Sequence, residues 1–215
     1  NSSPRARAAS AKPERVLVVG SGTGNDVVAA LRNGAGSVDA VEIDPVILGM
    51  GLTLHPNRPY GHANVRSIVA DARSFLRHTT NRYDLIVYGL LDSHVLLSGA
   101  SGGIRLDSYV YTVEGLKDAR ARLTQDGVIC LTFCTASGAL SHKIYLMLSD
   151  AFDGQAPVVY VSDYAGGSLA YAASNRRERP LKADGRYTDV TDQLVRQKET
   201  GDVSTDDWPF LYMPK

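Results

Sequence analysis

Residues 15–45 read RVLVVGSGTGNDVVAALRNGAGSVDAVEIDP. The apolar run 16–19 enters a loop holding Gly20, Gly22 and Gly24, a helix-like segment follows, and a second apolar run ends at Glu42. Strand, tight glycine turn, helix and parallel strand is the outline of a nucleoside-binding unit. Glycine serves where the backbone takes positive φ or must touch a ligand, and a bare turn leaves amide N–H groups facing that ligand. Glu42, closing the second strand, has the two acceptor oxygens needed to take hydrogen bonds from both hydroxyls of a ribose.

The glycine spacing separates two kinds of nucleoside. Dinucleotide sites prefer G-x-G-x-x-G, in which the third glycine packs close to the pyrophosphate. Here Asn25 holds that place and the third glycine falls one residue earlier, at Gly24. G-x-G-x-G fits S-adenosylmethionine (SAM) better, and no Lys or Arg lies in the loop to meet a pyrophosphate. A dinucleotide, or a glycine turn that binds nothing, is the competing reading.

The rest of the chain continues the alternation and so predicts a largely parallel sheet covered on both faces. Residues 64–70 read as a third strand ending at Asp71, 72–78 as a short helix and 82–91 as a strongly apolar fourth strand. The stretch 92–107, DSHVLLSGASGGIRLD, is too long and glycine-rich for an ordinary connection and is a candidate substrate loop. Thr112 is placed to cap a helix running to about Leu123; 127–134 is a fifth strand and 137–152 a helix with Ile144, Leu148, Ala151 and Phe152 near one face. Runs 157–161 and 168–173 suit an antiparallel edge pair.

This divides the chain into a Ser/Ala/Arg/Pro-rich start (1–13), expected to be a disordered linker or tag remnant, a nucleoside-binding domain (14–174) and a polar C-terminal tail (175–215) packing on it. The 23 basic and 23 acidic residues cancel, so no global field recruits nucleic acid. No apolar run approaches the ~20 residues that span a bilayer. Cys130 and Cys134 share one strand and read as reduced, buried thiols, which suits a cytoplasmic setting. No Cys/His cluster suggests a metal, and His55, His62, His78 and His142 read as surface residues.

Taken in order, VLVVGSGTG, VEIDP, VADARSFL and YDLIVYGLLDS resemble the spermidine synthase family of SAM-dependent-methyltransferase-like proteins, over about residues 15–133. The resemblance implies a Rossmann-like class I methyltransferase fold, an α/β architecture with a mostly parallel seven-stranded sheet and helices on both faces. It implies a SAM-type ligand: SAM itself or decarboxylated SAM, with methylthioadenosine as product. It places Gly20, Ser21, Gly22, Thr23 and Gly24 around that ligand, Glu42 and Ile43 at the ribose, and Asp71 and Ala72 beside the adenine. Asp71 is equally suited to cap the helix that follows, and both roles are compatible.

The departures from the family pattern bear on chemistry. Aminopropyltransferases carry G-G-G-D-G, whose Asp holds the ammonium end of decarboxylated SAM; Thr23 stands there. They also carry D-S-S-D-P after the fourth strand, whose first Asp deprotonates the attacking amine. Alignment places Gly89 at that acid and Asp92 at the second. With neither acid, the site tilts toward zwitterionic SAM or its thioether products, because a carboxylate would repel SAM's own carboxylate.

Asp92 is then a base or a turn cap, and His94 an acid–base group or a surface histidine. Tyr109 and Tyr111 line an amine pocket or pack in the core. The ending DDWPFLY resembles the junction to membrane helices in multipass bacterial relatives, so an excised soluble domain of a membrane-attached protein is expected; a homodimer is also compatible with the family. The expected function is alkyl transfer from a SAM-type sulfonium to a small amine or other nucleophile. The alternative is a non-catalytic domain that senses a nucleoside or polyamine.

Overall fold

The computed structural model describes residues 12–89, 108–134, 137–162, 168–176, 187–197 and 202–213. Seven strands, β1 (Arg15–Val19), β2 (Ser37–Glu42), β3 (Val65–Val69), β4 (Tyr83–Tyr88), β5 (Leu123–Cys134), β6 (Val158–Ser162) and β7 (Ser168–Ser174), form one sheet in the order β3-β2-β1-β4-β5-β7-β6. The first five are mutually parallel. β7 runs antiparallel to both of its neighbours. The last two strands are thus the expected antiparallel pair, but β7 is inserted beside β5 and β6 takes the edge, pointing with the other five.

The central strand β1 is apolar on both faces (Val16, Leu17, Val18 and Val19 are all buried) because helices cover both sides. One layer is α1 (Asn25–Arg32), α2 (Pro45–Leu54) and the 3-10 turn Pro59–Gly61. These close a small core of Val16, Val18, Val27, Val38, Leu48 and Tyr60. The larger core on the opposite face is built from Leu17, Ile86, Tyr88, Leu116, Phe133, Met147 and Leu148, under α3 (Ala72–His78), α4 (Val113–Arg120) and α5 (Gly138–Ala151).

Local chemistry sets the helix starts. Asp44 accepts from the N–H groups of Val46 and Ile47, with Pro45 in the first helical position, Asp71 accepts from Ser74, Thr112 from Gly115 and Ser137 from Leu140. The Thr112 helix stops at Arg120, short of the expected Leu123, and β5 begins at Leu123. The polar TQDG of residues 124–127 disguises the start of that strand.

α5 is buried nearly all round, not along one face. The sheet lies on one side of it and the C-terminal segment on the other, so Lys143 Nζ donates to the carbonyls of Phe210 and Met213, both at 3.0 Å. For the same reason His142 is not a surface residue: it is buried and stacks on Tyr145. Residues 187–197, with α6 (Thr191–Arg196), and 202–213 contribute Val190, Leu194 and Leu211 to the larger core. Among the described residues no helix is long and apolar enough to cross a membrane.

Candidate active site

Because β1 to β4 are parallel, the residues that follow them gather on one edge of the sheet. Val19 pairs with Val41 on one side and with Tyr88 on the other, and Glu42 pairs with Val69. The strand order reverses between β1 and β4, and open α/β sheets bind ligands in the crevice outside the carboxyl ends of strands at such a switch point. The loop 20–24, Glu42 with Ile43, Asp71 with Ala72, and Gly89 therefore share one rim.

The loop depends on its glycines in different ways. Gly22 has φ +55° and a Cβ there would meet nothing within 4 Å, so its face is open. Gly24 has φ +107° and a Cβ would lie 2.4 Å from Pro59 Cγ, so glycine is required for close packing. Glu42 clamps the loop: one carboxylate oxygen accepts from Gly22 N–H at 2.7 Å and the other from Asp44 N–H at 3.0 Å. A carboxylate oxygen has two lone pairs, so each retains acceptor capacity for a ribose hydroxyl.

Ser21 shapes the loop from beneath and does not line it, contrary to its expected ligand role. Its side chain is buried, its N–H donates to Val41 O at 2.9 Å and its carbonyl accepts from Gly24 N–H at 2.9 Å. Its Oγ lies 2.9 Å from the hydroxyl of Tyr60. Tyr60 is a supporting residue that the sequence reading passed over. Its buried hydroxyl donates to Gly22 O at 2.6 Å, and burial, aided by the charges of Glu42 and Asp26, raises its pKa so that the proton is retained. The signal was the Pro59-Tyr60-Gly61 triplet, whose turn brings the ring under the loop. Gly51 is a second such residue, since a Cβ there would lie 2.5 Å from Thr23 O.

Asp71 caps α3 through one oxygen, 2.7 Å from Ser74 N–H. Ile43 is exposed on the rim and Ala72 packs against the core. Tyr109 and Tyr111 part company. Tyr109 is 39% exposed, whereas Tyr111 is buried edge-on to Phe133 at 5.5 Å and 6.4 Å from Tyr88. Of the two roles open to Tyr111, its place in the structure is core packing. Asp92 and His94 lie outside the described residues.

Two further features surround the rim. Arg73, next to Asp71 and Ala72, donates to Asp118 at 2.6 Å, to both oxygens of Asp206 at 3.0 and 2.9 Å, and to Tyr109 O at 2.9 Å, tying α3 to α4 and to the C-terminal segment. Cys130 and Cys134 form no disulfide and, against the expectation of buried thiols, are only partly buried, on β5 beside β4; desolvation still pushes the Cys130 thiol up to about 11. Among the described residues no three His, Cys, Asp or Glu side chains are grouped to hold a metal.

Comparison with known proteins agrees with this fold. A family model described as "Spermine/spermidine synthase domain" matches residues 6–178. A curated polyamine aminopropyltransferase from Korarchaeum cryptofilum is 27% identical over 123 residues, which cover 56% of this chain and 35% of that protein; the match thus spans about a third of the relative's length.

Among solved structures, spermidine synthase from Thermotoga maritima superposes with a TM-score of 0.63 at 15% identity, covering 96% of this chain and 67% of that one. A spermidine synthase in complex with the transition-state analogue AdoDATO gives 0.61 at 16% identity, with the same two coverages. Human methyltransferase-like protein 13 in complex with SAH gives 0.61 at 19%, covering 82% of this chain and 81% of that one. The structural likenesses establish the fold, and the family model, matching most of the length, establishes the lineage: this chain belongs to the spermine/spermidine synthase family.

Proposed function

We propose that this chain binds a SAM-type sulfonium nucleoside at the β1–β4 rim and transfers an alkyl group from it to a small amine. The observation that carries this reading is the clamp between Glu42 and Gly22, which joins the ribose-facing carboxylate to the open glycine loop at the switch point. In the reading, Gly22 and its neighbours lie against the sulfonium side of the nucleoside, Glu42 and Ile43 hold the ribose, and Asp71 and Ala72 border the adenine. The sulfonium is a good leaving group, so alignment of nucleophile, carbon and sulfur supplies most of the rate. Asp92 and His94 are proposed as proton acceptors on the loop after β4. Decarboxylated SAM, with methylthioadenosine as product, is supported by the family, and cysteines that form no disulfide suit a cytoplasmic setting.

A second reading, a domain that binds the nucleoside without turnover, is favoured by Thr23 and Gly89 in place of two acids. Calorimetry with SAM, decarboxylated SAM, methylthioadenosine and NAD tests the ligand class. Product analysis with decarboxylated SAM and putrescine then tests transfer. Binding of an adenosyl ligand with formation of methylthioadenosine supports the first reading, binding without product supports the second, and preference for NAD overturns both.

A further inference from the structure

The absence of an acid at position 89 is matched by the presence of one in the space it vacates. Gly89 is buried where β4 ends, and a Cβ built on it would lie 2.2 Å from Oδ2 of Asp26 and 3.3 Å from Asp26 Cγ. Asp26 belongs to the first turn of α1, directly after the glycine loop. Its carboxylate therefore crosses from the β1 side of the switch point to the β4 side and stands over the end of β4. The two positions are complementary: with any side chain at 89 the carboxylate would have to move.

Nothing among the described residues neutralises this group. No hydrogen bond or ion pair to Asp26 is formed there, and burial raises its pKa. The titratable groups that feel its charge are Tyr60 on the 3-10 turn and Cys130 on β5; burial raises both, and the Asp26 charge adds to that rise. Neither is a cation. Asp39, by contrast, is paired with Arg66 and Asp206 with Arg73. A position near a helix N-terminus favours an acid at residue 26, but it does not account for the carboxylate leaning over Gly89 with no donor among the described residues. A half-buried charge with acceptor capacity and no partner among the described residues is complementary to a cation brought by a ligand.

We propose that Asp26 is the carboxylate that receives the alkylammonium group of the bound ligand, acting from α1 through the space that glycine leaves at position 89. This rests on the functional reading above and deepens it: the rim is selective for a cationic amine, although the sequence positions at which relatives carry acids hold Thr23 and Gly89. The ammonium has two possible sources, the side chain of the sulfonium donor or the amine acceptor, and the chemistry of recognition is the same for both.

The test compares wild type with Asp26→Asn, and with the swap variant Asp26→Val/Gly89→Asp, which returns a carboxylate to the same space from the strand side. Calorimetry is run with methylthioadenosine, which lacks an ammonium, with decarboxylated SAM, which carries one, and with putrescine on the methylthioadenosine-bound protein. The expected result is that Asp26→Asn leaves methylthioadenosine binding within about twofold and weakens an ammonium ligand at least tenfold, in line with loss of a charged hydrogen-bond partner. Loss confined to decarboxylated SAM assigns the donor ammonium, and loss confined to putrescine assigns the acceptor.

Recovery of most of that affinity in the swap variant supports the assignment of the space itself. The proposal is overturned if Asp26→Asn leaves both ammonium ligands unaffected, or weakens methylthioadenosine equally, which is the mark of a structural role. If wild type binds no adenosyl ligand, the functional reading falls and this proposal with it; if wild type binds and the variant shows no ammonium-specific loss, this proposal alone falls.

Discussion

Glu42→Gln isolates the clamp on the glycine loop. The carboxylate is 7% exposed and accepts one backbone N–H on each oxygen, from Gly22 at 2.7 Å and from Asp44 at 3.0 Å. Glutamine preserves the shape but turns one acceptor into a donor, so one of the two N–H groups must face an NH2. Hydrogen bonds to charged groups contribute about 1.5–3 kcal/mol, and loss of one sets the destabilisation at about 2 kcal/mol. For a chain of this length that corresponds to a fall in Tm of roughly 4–8 °C, read by differential scanning calorimetry. Methylthioadenosine affinity is expected to fall about tenfold, roughly 1.4 kcal/mol, because the remaining acceptor capacity toward a ribose is halved. A Tm within about 1 °C of wild type would refute the clamp. A lowered Tm with an unchanged dissociation constant would leave the clamp standing and remove the ribose assignment.

The remaining predictions concern the loop, its neighbours and pH. Gly22→Ala and Gly24→Ala should separate binding from stability. The first places a methyl in open space at φ +55°, costing about 1 kcal/mol of stability while obstructing the ligand, and the second drives a methyl into Pro59 at 2.4 Å, costing at least about 2 kcal/mol. Denaturant unfolding and nucleoside titration read the two effects, and equal stability losses would contradict the packing described for Gly24. Asp26→Asn should raise Tm near neutral pH. The folded-state pKa of Asp26 lies above its ordinary 3.8, so its contribution to stability is fully present below 3.8 and is lost as pH rises through the folded value. The gap between variant and wild type should therefore close in acid, and a gap independent of pH would exclude an ionisation effect. Arg73→Ala strands Asp118 and Asp206; since Asp206 is 41% exposed, the loss should be about 2 kcal/mol, less than the roughly 3–5 of a fully buried pair. The Arg73 hydrogen bond holds the Asp206 carboxyl below its ordinary value, so this stabilisation is present above that value and disappears as pH falls through the depressed one, which acid titration of Tm will read.

Much of the candidate site's framework was legible in the linear sequence because its parts are local. A glycine loop after an apolar run, a carboxylate closing the next strand and an Asp before a short helix each follow from neighbouring residues, and parallel strands bring such parts to one rim whatever else the chain does. Periodicity likewise located all seven strands. It misplaced the start of β5, whose first turns of sequence are polar, and it placed His142 at the surface because nothing local shows that residues 202–213 return to cover α5.

What only the tertiary structure decided is which side chain fills which space. Ser21 is drawn inward by Tyr60, a residue 39 positions away, and Tyr111 is closed into the core by Tyr88 and Phe133. Read by alignment, Gly89 was the loss of an acid and the site a place without a charge for an ammonium. In three dimensions the carboxylate of Asp26 stands in that space. Sequence position states which residue types are present and how the backbone runs; a charge acts through distance, and distance across the gap between β1 and β4 exists only once the sheet has formed.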